Sequence, residues 1–323
     1  MKNKKVLVVL GGTSGERKVS LDSGRACTKA LKKMGYKVST LDPKKKSISL
    51  INKKKIDIIF NALHGKAGED GVIQSYFEYL RIPYTHSGVV SSYNAMNKVI
   101  SKEIFKNNKI KSPEYFVLGK KNFNIIELNK FTKKKKISFP IVVKPINEGS
   151  SLGVRICKNV QDLNKASKLL LKKYEELIFE PYIGGQEIQV AVINGKSLGA
   201  IELKPKRKFY DYKAKYSKAA KTKHIMPANL KKHKYQEVLQ IAEKAHNAVG
   251  CKGITRSDFK FFNNQFYLLE INTQPGMTNL SLVPEIANYK GISFKNLVQK
   301  ILFNASLNRW KNLFLDWLYF LFS

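Results

Sequence analysis

The sequence predicts an α/β protein of several units, the first a doubly wound parallel sheet, and three observations carry that reading. Val6–Leu10 is an unbroken apolar run closed by Gly11-Gly12, the pattern of a strand buried on both faces. Apolar runs then alternate with helical spacing: Ser20–Met34 reads as a helix, Val38–Leu41 and Ile56–Asn61 as strands, and Val72–Leu80 as a helix. That order builds a parallel sheet wrapped by helices, with ligands held beyond the strand ends. Finally, 323 residues exceed what one simple core organises, so further units follow the first.

The first unit is expected over residues 1–94, with glycine-rich loops G-G-T-S-G-E at 11–16 and L-H-G-K-A-G-E-D-G at 63–71 after its strands. A second, over 95–185, opens with a helix at Ala95–Asn107. A strand at Tyr115–Leu118, a polar connection at Lys133–Lys136 and a strand at Ile141–Lys144 follow. The glycine loop Glu148–Gly153, a strand at Val154–Ile156, a helix at Asp162–Tyr174 and a strand at Leu177–Glu180 complete it. A third unit, over 186–306, holds strands Glu187–Ile193 and Ser197–Lys204, a long loop from Lys208 to His224, a helix at Lys234–Val249 and a hairpin. Residues 307–323 form an apolar tail.

The formal charge of +35 raises nucleic acid or an anionic membrane as a partner, but only seven of the 59 basic residues are Arg, and Lys is spread through every segment. Base readout favours Arg, so no specific nucleic-acid partner is expected. A solvated lysine surface that draws in small anions is the better reading. Cys27, Cys157 and Cys251 are widely spaced and form no C-x-x-C, which excludes a disulfide framework and a cysteine-based zinc site and suits a reducing compartment. The apolar run behind M-K-N-K-K is too short for a signal sequence, and no stretch reaches the ~20 apolar residues of a membrane span.

The chemistry gathers in the hairpin. Asp258 lies in one alternating run, and Glu270 and Asn272 lie two apart, on one strand face, in the next, with Asn263-Asn264 at the turn between. Pairing the strands brings Asp258 beside Glu270 and Asn272. Two carboxylates and an amide, with no Cys or His beside them, suit Mg²⁺ rather than Zn²⁺. Solvated acids on a surface hairpin are the plainer alternative, but here the acids interrupt otherwise apolar strands. G-S-S-L-G at 149–153, after the strand ending at Lys144, reads as a phosphate-cradling loop or as a simple strand-to-strand turn. The segment Pro181–Ile183 is suited to backbone readout of adenine and Glu187 to ribose hydroxyls; an interdomain hinge fits the same glycines. Three tyrosines in F-Y-D-Y-K-A-K-Y-S-K at 209–218 suggest a lid that packs over a site.

Five motifs in order resemble the D-alanine–D-alanine ligases of the ATP-grasp superfamily: G-G-T-S-G-E-R-x-V-S at 11–20, L-H-G-K-A-G-E-D-G at 63–71, V-K-P-I-N-E-G-S-S-L-G at 143–153, Y-D-Y-K-A-K-Y at 210–216, and R-S-D-F with E-I-N-T-Q-P-G-M-T at 256–278. The resemblance implies a three-domain ATP-grasp architecture and ligation of two D-alanines, through an acyl phosphate, for peptidoglycan precursors. It implies ATP and two Mg²⁺ ions, with Mn²⁺ as an alternative, and it implies roles. Asp258, Glu270 and Asn272 would hold the metal. Lys98 and Lys144 would contact phosphates under a loop carrying Ser150 and Ser151. Glu180, Tyr182, Ile183 and Glu187 would seat adenosine, and Lys215 would reach the γ-phosphate. Glu16 and His64 would meet the first D-alanine. Arg256 and the Gly276 N–H would form the oxyanion site, and Ser281 and the Leu282 N–H would take the second carboxylate. Glu16, Ser150 and Tyr216 would tie the lid to the other domains.

A cytoplasmic homodimer is expected. Ligases that join D-alanine to D-lactate or D-serine are the rivals within the superfamily, and Tyr216 argues against them. The tail, R-W-K-N-L-F-L-D-W-L-Y-F-L-F-S at 309–323, extends past the family's usual end. A cap on a hydrophobic patch, a dimer interface, contact with a membrane surface and translated read-through all suit its composition.

Overall fold

The computed structural model describes residues 3–205, 222–278 and 281–307. Strands β1 (Lys5–Val9), β2 (Lys37–Leu41) and β3 (Ile58–Asn61) form a parallel sheet in the order β2-β1-β3. Helix α1 (Arg17–Lys33) follows β1, and α2 (Val72–Tyr79) follows the second glycine-rich loop. This is the strand–helix alternation that the apolar runs predict. Val6, Val8 and Val9 are buried, as a central parallel strand requires.

Two antiparallel sheets follow. Strands β4 (Phe116–Gly119), β5 (Ile141–Pro145), β6 (Arg155–Cys157) and β7 (Glu176–Pro181) pair in the order β4-β7-β5-β6. Strands β8 (Gln186–Ile193), β9 (Lys196–Lys204), β10 (Lys223–Ile225), β11 (Ile254–Phe262) and β12 (Gln265–Asn272) pair in the order β10-β9-β8-β11-β12. The remaining α-helices among the described residues are α3 (Val89–Met96), α4 (Lys98–Asn107), α5 (Ile125–Lys134), α6 (Val160–Leu170), α7 (Lys232–Ala248), α8 (Leu282–Tyr289) and α9 (Phe294–Phe303).

The structure departs from the sequence reading in several places, and one is that Lys223 and His224, read as the end of a loop, pair with β9 as part of β10. The single helix expected over Ala95–Asn107 is two. Asn97 has extended backbone, and its side chain accepts hydrogen bonds from the N–H groups of Val99 and Ile100, so it caps α4 while ending α3. Lys133 and Lys134 form the last turn of α5 rather than a polar connection; Asn124 caps that helix and Leu128 anchors it in the core. Basic residues in a last turn also complement the helix dipole. Helices α8 and α9 were not anticipated. Leu282, Val283, Leu297 and Ile301 share one core with Val6, Val8 and Leu31, so the C-terminal helices close over the first sheet.

Candidate active site

Two clefts meet at the centre of the molecule. One is lined by Lys98, Lys144, Ser151, Glu180, Tyr182, Ile183, Glu187, Asp258, Lys260, Leu269 and Glu270. The other is lined by Glu16, Glu69, Ser150, Arg256, Asn272 and, again, Lys98 and Glu270. Lys98, Glu148 and Glu270 belong to both, so they stand where the two spaces join.

The hairpin forms as its alternation predicts. Asn263 and Asn264 have φ of 47° and 60°, the left-handed pair of a tight hairpin turn. The register sets Asp258 opposite Glu270 and Arg256 opposite Asn272. Pairing then shifts by one residue, from Asp258–Glu270 to Phe259–Leu268, leaving Leu269 as a bulge. Consecutive strand residues normally point to opposite faces, but here Leu269 and Glu270 both line the larger cleft. The bulge thus adds an apolar wall beside an acid.

Asp258 is spanned by Arg256, with Nε to Oδ1 at 2.7 Å and Nη2 to Oδ2 at 2.9 Å. Lys98 Nζ lies 3.9 Å from Glu270 Oε2. Each of the two carboxylates thus has a side-chain cation beside it. Among the described residues no three His, Cys, Asp or Glu side chains converge on a metal-sized space. An ion here would rest on two carboxylates and an amide, completed by phosphate oxygens. Mg²⁺ is commonly held this way, and the donor set fits it.

Glu180, nearly fully buried on β7, is gripped from both sides. Lys102 Nζ lies 3.0 Å from Oε1 and Lys144 Nζ 2.8 Å from Oε2. Burial pushes the Glu180 carboxyl up, but the two ammonium groups outweigh it and hold it at about 2. Burial lowers both Lys98 and Lys102 from the ordinary lysine value. On the other wall Lys260 Nζ pairs with Glu187 Oε2 at 3.1 Å. Tyr182 and Ile183 follow β7, where the Tyr182 N–H donates to Pro140 O.

In the smaller cleft, Ser150 Oγ donates to Glu16 Oε2 at 2.5 Å. Ser150 and Ser151 hold φ of 50° and 60°, a left-handed loop conformation, and line the smaller and the larger cleft respectively. A Cβ at Gly149 would fall 2.5 Å from Glu16 Oε1, so an added side chain there would displace the Glu16 carboxylate. Glu69, behind Glu16, accepts from the Gly65 N–H at 3.0 Å. Burial first, and the charge of Glu16 second, push its carboxyl well above the usual range.

His64 is buried, with Nε2 3.3 Å from Ser23 Oγ; burial lowers it to about 4, so it is neutral at pH 7. Ser23 Oγ also accepts from the Met277 N–H. Ser281 stands at the N-cap position of α8 without capping it through its side chain, whose Oγ accepts instead from the Thr278 N–H at 3.0 Å; Leu282 is the first helical residue. A Cβ at Gly276 would meet Ser281 Oγ at 2.8 Å. His64, Gly276, Ser281 and Leu282 line neither of the two clefts. Lys215 and Tyr216, with the expected lid, and the tail from residue 308 lie outside the described residues.

The sequence reading did not single out Lys102, Glu69, Glu148 or Lys260. Lys102 stands one helical turn after Lys98, and that spacing was the available signal. Glu69 sits inside the second glycine-rich motif.

A parallel-sheet unit set against two antiparallel sheets, with a lysine-lined cleft and paired acids between them, defines an ATP-grasp ligase. Comparison with known proteins narrows the class. Residues 104–303 match the family model described as D-ala D-ala ligase C-terminus, and residues 41–87 match D-ala D-ala ligase N-terminus. The chain is 56% identical over 308 residues to the D-alanine–D-alanine ligase of Pelagibacter ubique (strain HTCC1062), covering 95% of this chain and 99% of that protein. The crystal structure of the D-alanine–D-alanine ligase from Bacillus anthracis superposes with a TM-score of 0.82 at 34% identity, over 93% of this chain and 97% of the other. The same enzyme complexed with ATP gives a TM-score of 0.79 at 30% identity, with the same coverages. The chain belongs to the D-alanine–D-alanine ligase family. Its activity is the ATP-dependent, ADP-forming ligation of D-alanine that serves peptidoglycan synthesis.

Proposed function

We propose that this ligation runs through an acyl phosphate, with two Mg²⁺ ions held by Asp258, Glu270 and Asn272 beside the phosphates of ATP. The observation that carries the reading is the pairing of Asp258 with Glu270 where the lysine-lined cleft opens into the Glu16 cavity. A phosphoryl group leaving one space would meet a carboxylate in the other.

A carboxylate at neutral pH is a poor electrophile. Attack of its oxygen on the γ-phosphorus of ATP, with ADP leaving, makes it a good one. Such a transfer needs position and charge neutralisation more than covalent help. Lys98 and Lys144 supply fixed positive charge, Ser150 and Ser151 shape the covering loop, and bound Mg²⁺ would neutralise the transferring phosphoryl group. Glu180, Tyr182, Ile183 and Glu187 seat the adenosine. Glu16 pairs with the ammonium of the first D-alanine, and the neutral His64 lies nearby. The amine of the second D-alanine, having lost a proton, attacks the acyl carbon; the C–N bond forms and phosphate leaves. Arg256 and the Gly276 N–H stabilise the oxyanion that develops. Ser281 and the Leu282 N–H take the second carboxylate. Lys215 and Tyr216 complete the site from the lid and limit loss of the acyl phosphate to water.

The reading includes the divisions at residues 94, 185 and 306, a cytoplasmic location and a homodimer. Three unpaired, widely spaced cysteines support a reducing compartment. Among the described residues no helix is long and apolar enough to cross a membrane. Sedimentation of the purified chain tests the dimer. Phosphate release from ATP with D-alanine and with L-alanine tests the chemistry: release with the D enantiomer alone is expected, and equal release with both would overturn the reading.

A further inference from the structure

Helix α4 delivers two ammonium groups into the interior one turn apart. Lys98 reaches toward Glu270 and donates to the carbonyl of Glu148. Lys102 is almost wholly enclosed, at 1% exposure, and lines neither of the two clefts. It donates to Pro113 O at 2.9 Å, pairs with Glu180 Oε1 at 3.0 Å, and lies 5.6 Å over the Tyr115 ring. Glu180 presents its other oxygen to Lys144, which does line the cleft. The three side chains form one buried row, Lys102–Glu180–Lys144, with two positive charges and one negative.

A buried lysine is costly unless something requires its charge. If Glu180 faced Lys144 alone, the pair would be neutral and the Lys144 ammonium would be satisfied by a protein carboxylate. With Lys102 holding the far oxygen, the row keeps one net positive charge, and Lys144 is the end that faces the ligand. In a low-dielectric wall such a fixed charge acts strongly on an anion and needs no rearrangement when the anion arrives.

We propose that Lys102 is a positioning residue for nucleotide binding: by holding Glu180 Oε1 it frees the charge of Lys144 for the phosphates. This rests on the proposed nucleotide role of the cleft. It assigns the phosphate recognition of Lys144 to a residue that never touches the nucleotide.

The test is calorimetric binding of ADP and of adenosine, both with Mg²⁺, to the purified full chain and to K102M, E180Q and K102M/E180Q. Removing one unit of net charge from a buried row should weaken ADP about tenfold or more in K102M, while adenosine stays within about twofold. The KM for ATP should rise by a similar factor and kcat change by less than about threefold. The double variant, with Lys144 as its only charge in the row, regains the net positive charge and should bind ADP more tightly than K102M. A merely structural role for Lys102 would not give rescue by removing a second native group. Unchanged ADP affinity in a folded K102M, or a further loss in the double variant, would overturn the proposal. If K102M does not fold, comparison of the double variant with the unaltered chain decides, since both rows carry one net positive charge: ADP affinity within about threefold supports the proposal, and a larger loss contradicts it. Failure of the unaltered chain to bind ADP would instead overturn the nucleotide reading itself.

Discussion

Ser150 and Glu16 are 134 residues apart in sequence and joined by a 2.5 Å hydrogen bond, from the glycine loop of the second unit to the first turn after β1. Both residues line the smaller cleft. The bond also fixes the carboxylate expected to meet the ammonium of the first D-alanine.

Ser150→Ala should therefore loosen Glu16 without unfolding the chain. A hydrogen bond to a charged group contributes about 1.5–3 kcal/mol, or roughly ten- to a hundredfold in an equilibrium constant. The KM for D-alanine is expected to rise within that range while the thermal midpoint moves little. Gly149→Ala, whose added Cβ would fall 2.5 Å from Glu16 Oε1, should impair the same step. Steady-state kinetics beside thermal melts of both variants separate the two effects, and an unchanged KM in both would contradict this role for the loop.

Glu270→Gln removes one of the two carboxylates that face each other across the hairpin. The strand pairing is made by backbone, so the fold should persist. Mn²⁺ affinity, read by electron paramagnetic resonance in the presence of ADP, should fall about tenfold or more, since hard cations depend on carboxylate charge. Binding equal to that of the unaltered chain would remove Glu270 from the metal site.

Acid should destabilise the fold from pH 6.5 downward. Burial lowers His64 to about 4, His86 to about 3 and His246 to about 4, against 6.5 when unfolded. Between these values the unfolded chain binds more protons than the folded one. Stability therefore rises with pH through the window and is lost as pH falls through it. Glu69 acts in the opposite sense: its carboxyl is raised in the folded state, so its contribution is lost as pH rises above its ordinary value of 4.5. Three histidines outweigh one acid, and the net slope should be positive between pH 5 and 6.5. Urea unfolding at pH 5, 6 and 7 measures it. His64→Gln should lower the slope by up to ~1.4 kcal/mol per pH unit, one proton's worth. Stability that increased toward pH 5 would contradict the assignment.

The hairpin turn gives a purely structural check. Asn263 and Asn264 both hold positive φ, which asparagine tolerates and β-branched residues do not. Asn264→Val should cost about 1–3 kcal/mol, whereas Asn264→Gly should lie within about 0.5 kcal/mol of the original. Chemical denaturation reads both, and equal stabilities for the Val and Gly variants would contradict the turn geometry.

What could be read in advance follows from how local each signal is. The hairpin was legible because strand alternation and a turn-forming pair fix the register next to the turn; that register alone would set Asp258 opposite Leu269, and the bulge, which has no sequence signal, brings it opposite Glu270. The parallel sheet was legible because buried strands are apolar throughout. The break at Asn97 was not, since an asparagine between two helical runs signals a cap only once its side chain is seen on Val99 and Ile100. Lys133 and Lys134 read as linker because their charge concealed the buried Leu128 that anchors α5. Lys102 was missed because a lysine normally faces water. Its burial depends on Glu180, 78 positions later, which helical spacing cannot reveal.

The central claim is that the two clefts form one ligation site, and product analysis tests it most directly. The purified chain is supplied with ATP, Mg²⁺ and D-alanine at pH 8, and with an equal concentration of D-lactate in a second reaction. The account predicts D-alanyl-D-alanine as the main product in both, one ADP and one phosphate per dipeptide, and loss of all three in Glu270→Gln. D-alanyl-D-lactate as the main product, or ADP formed without dipeptide, would contradict it.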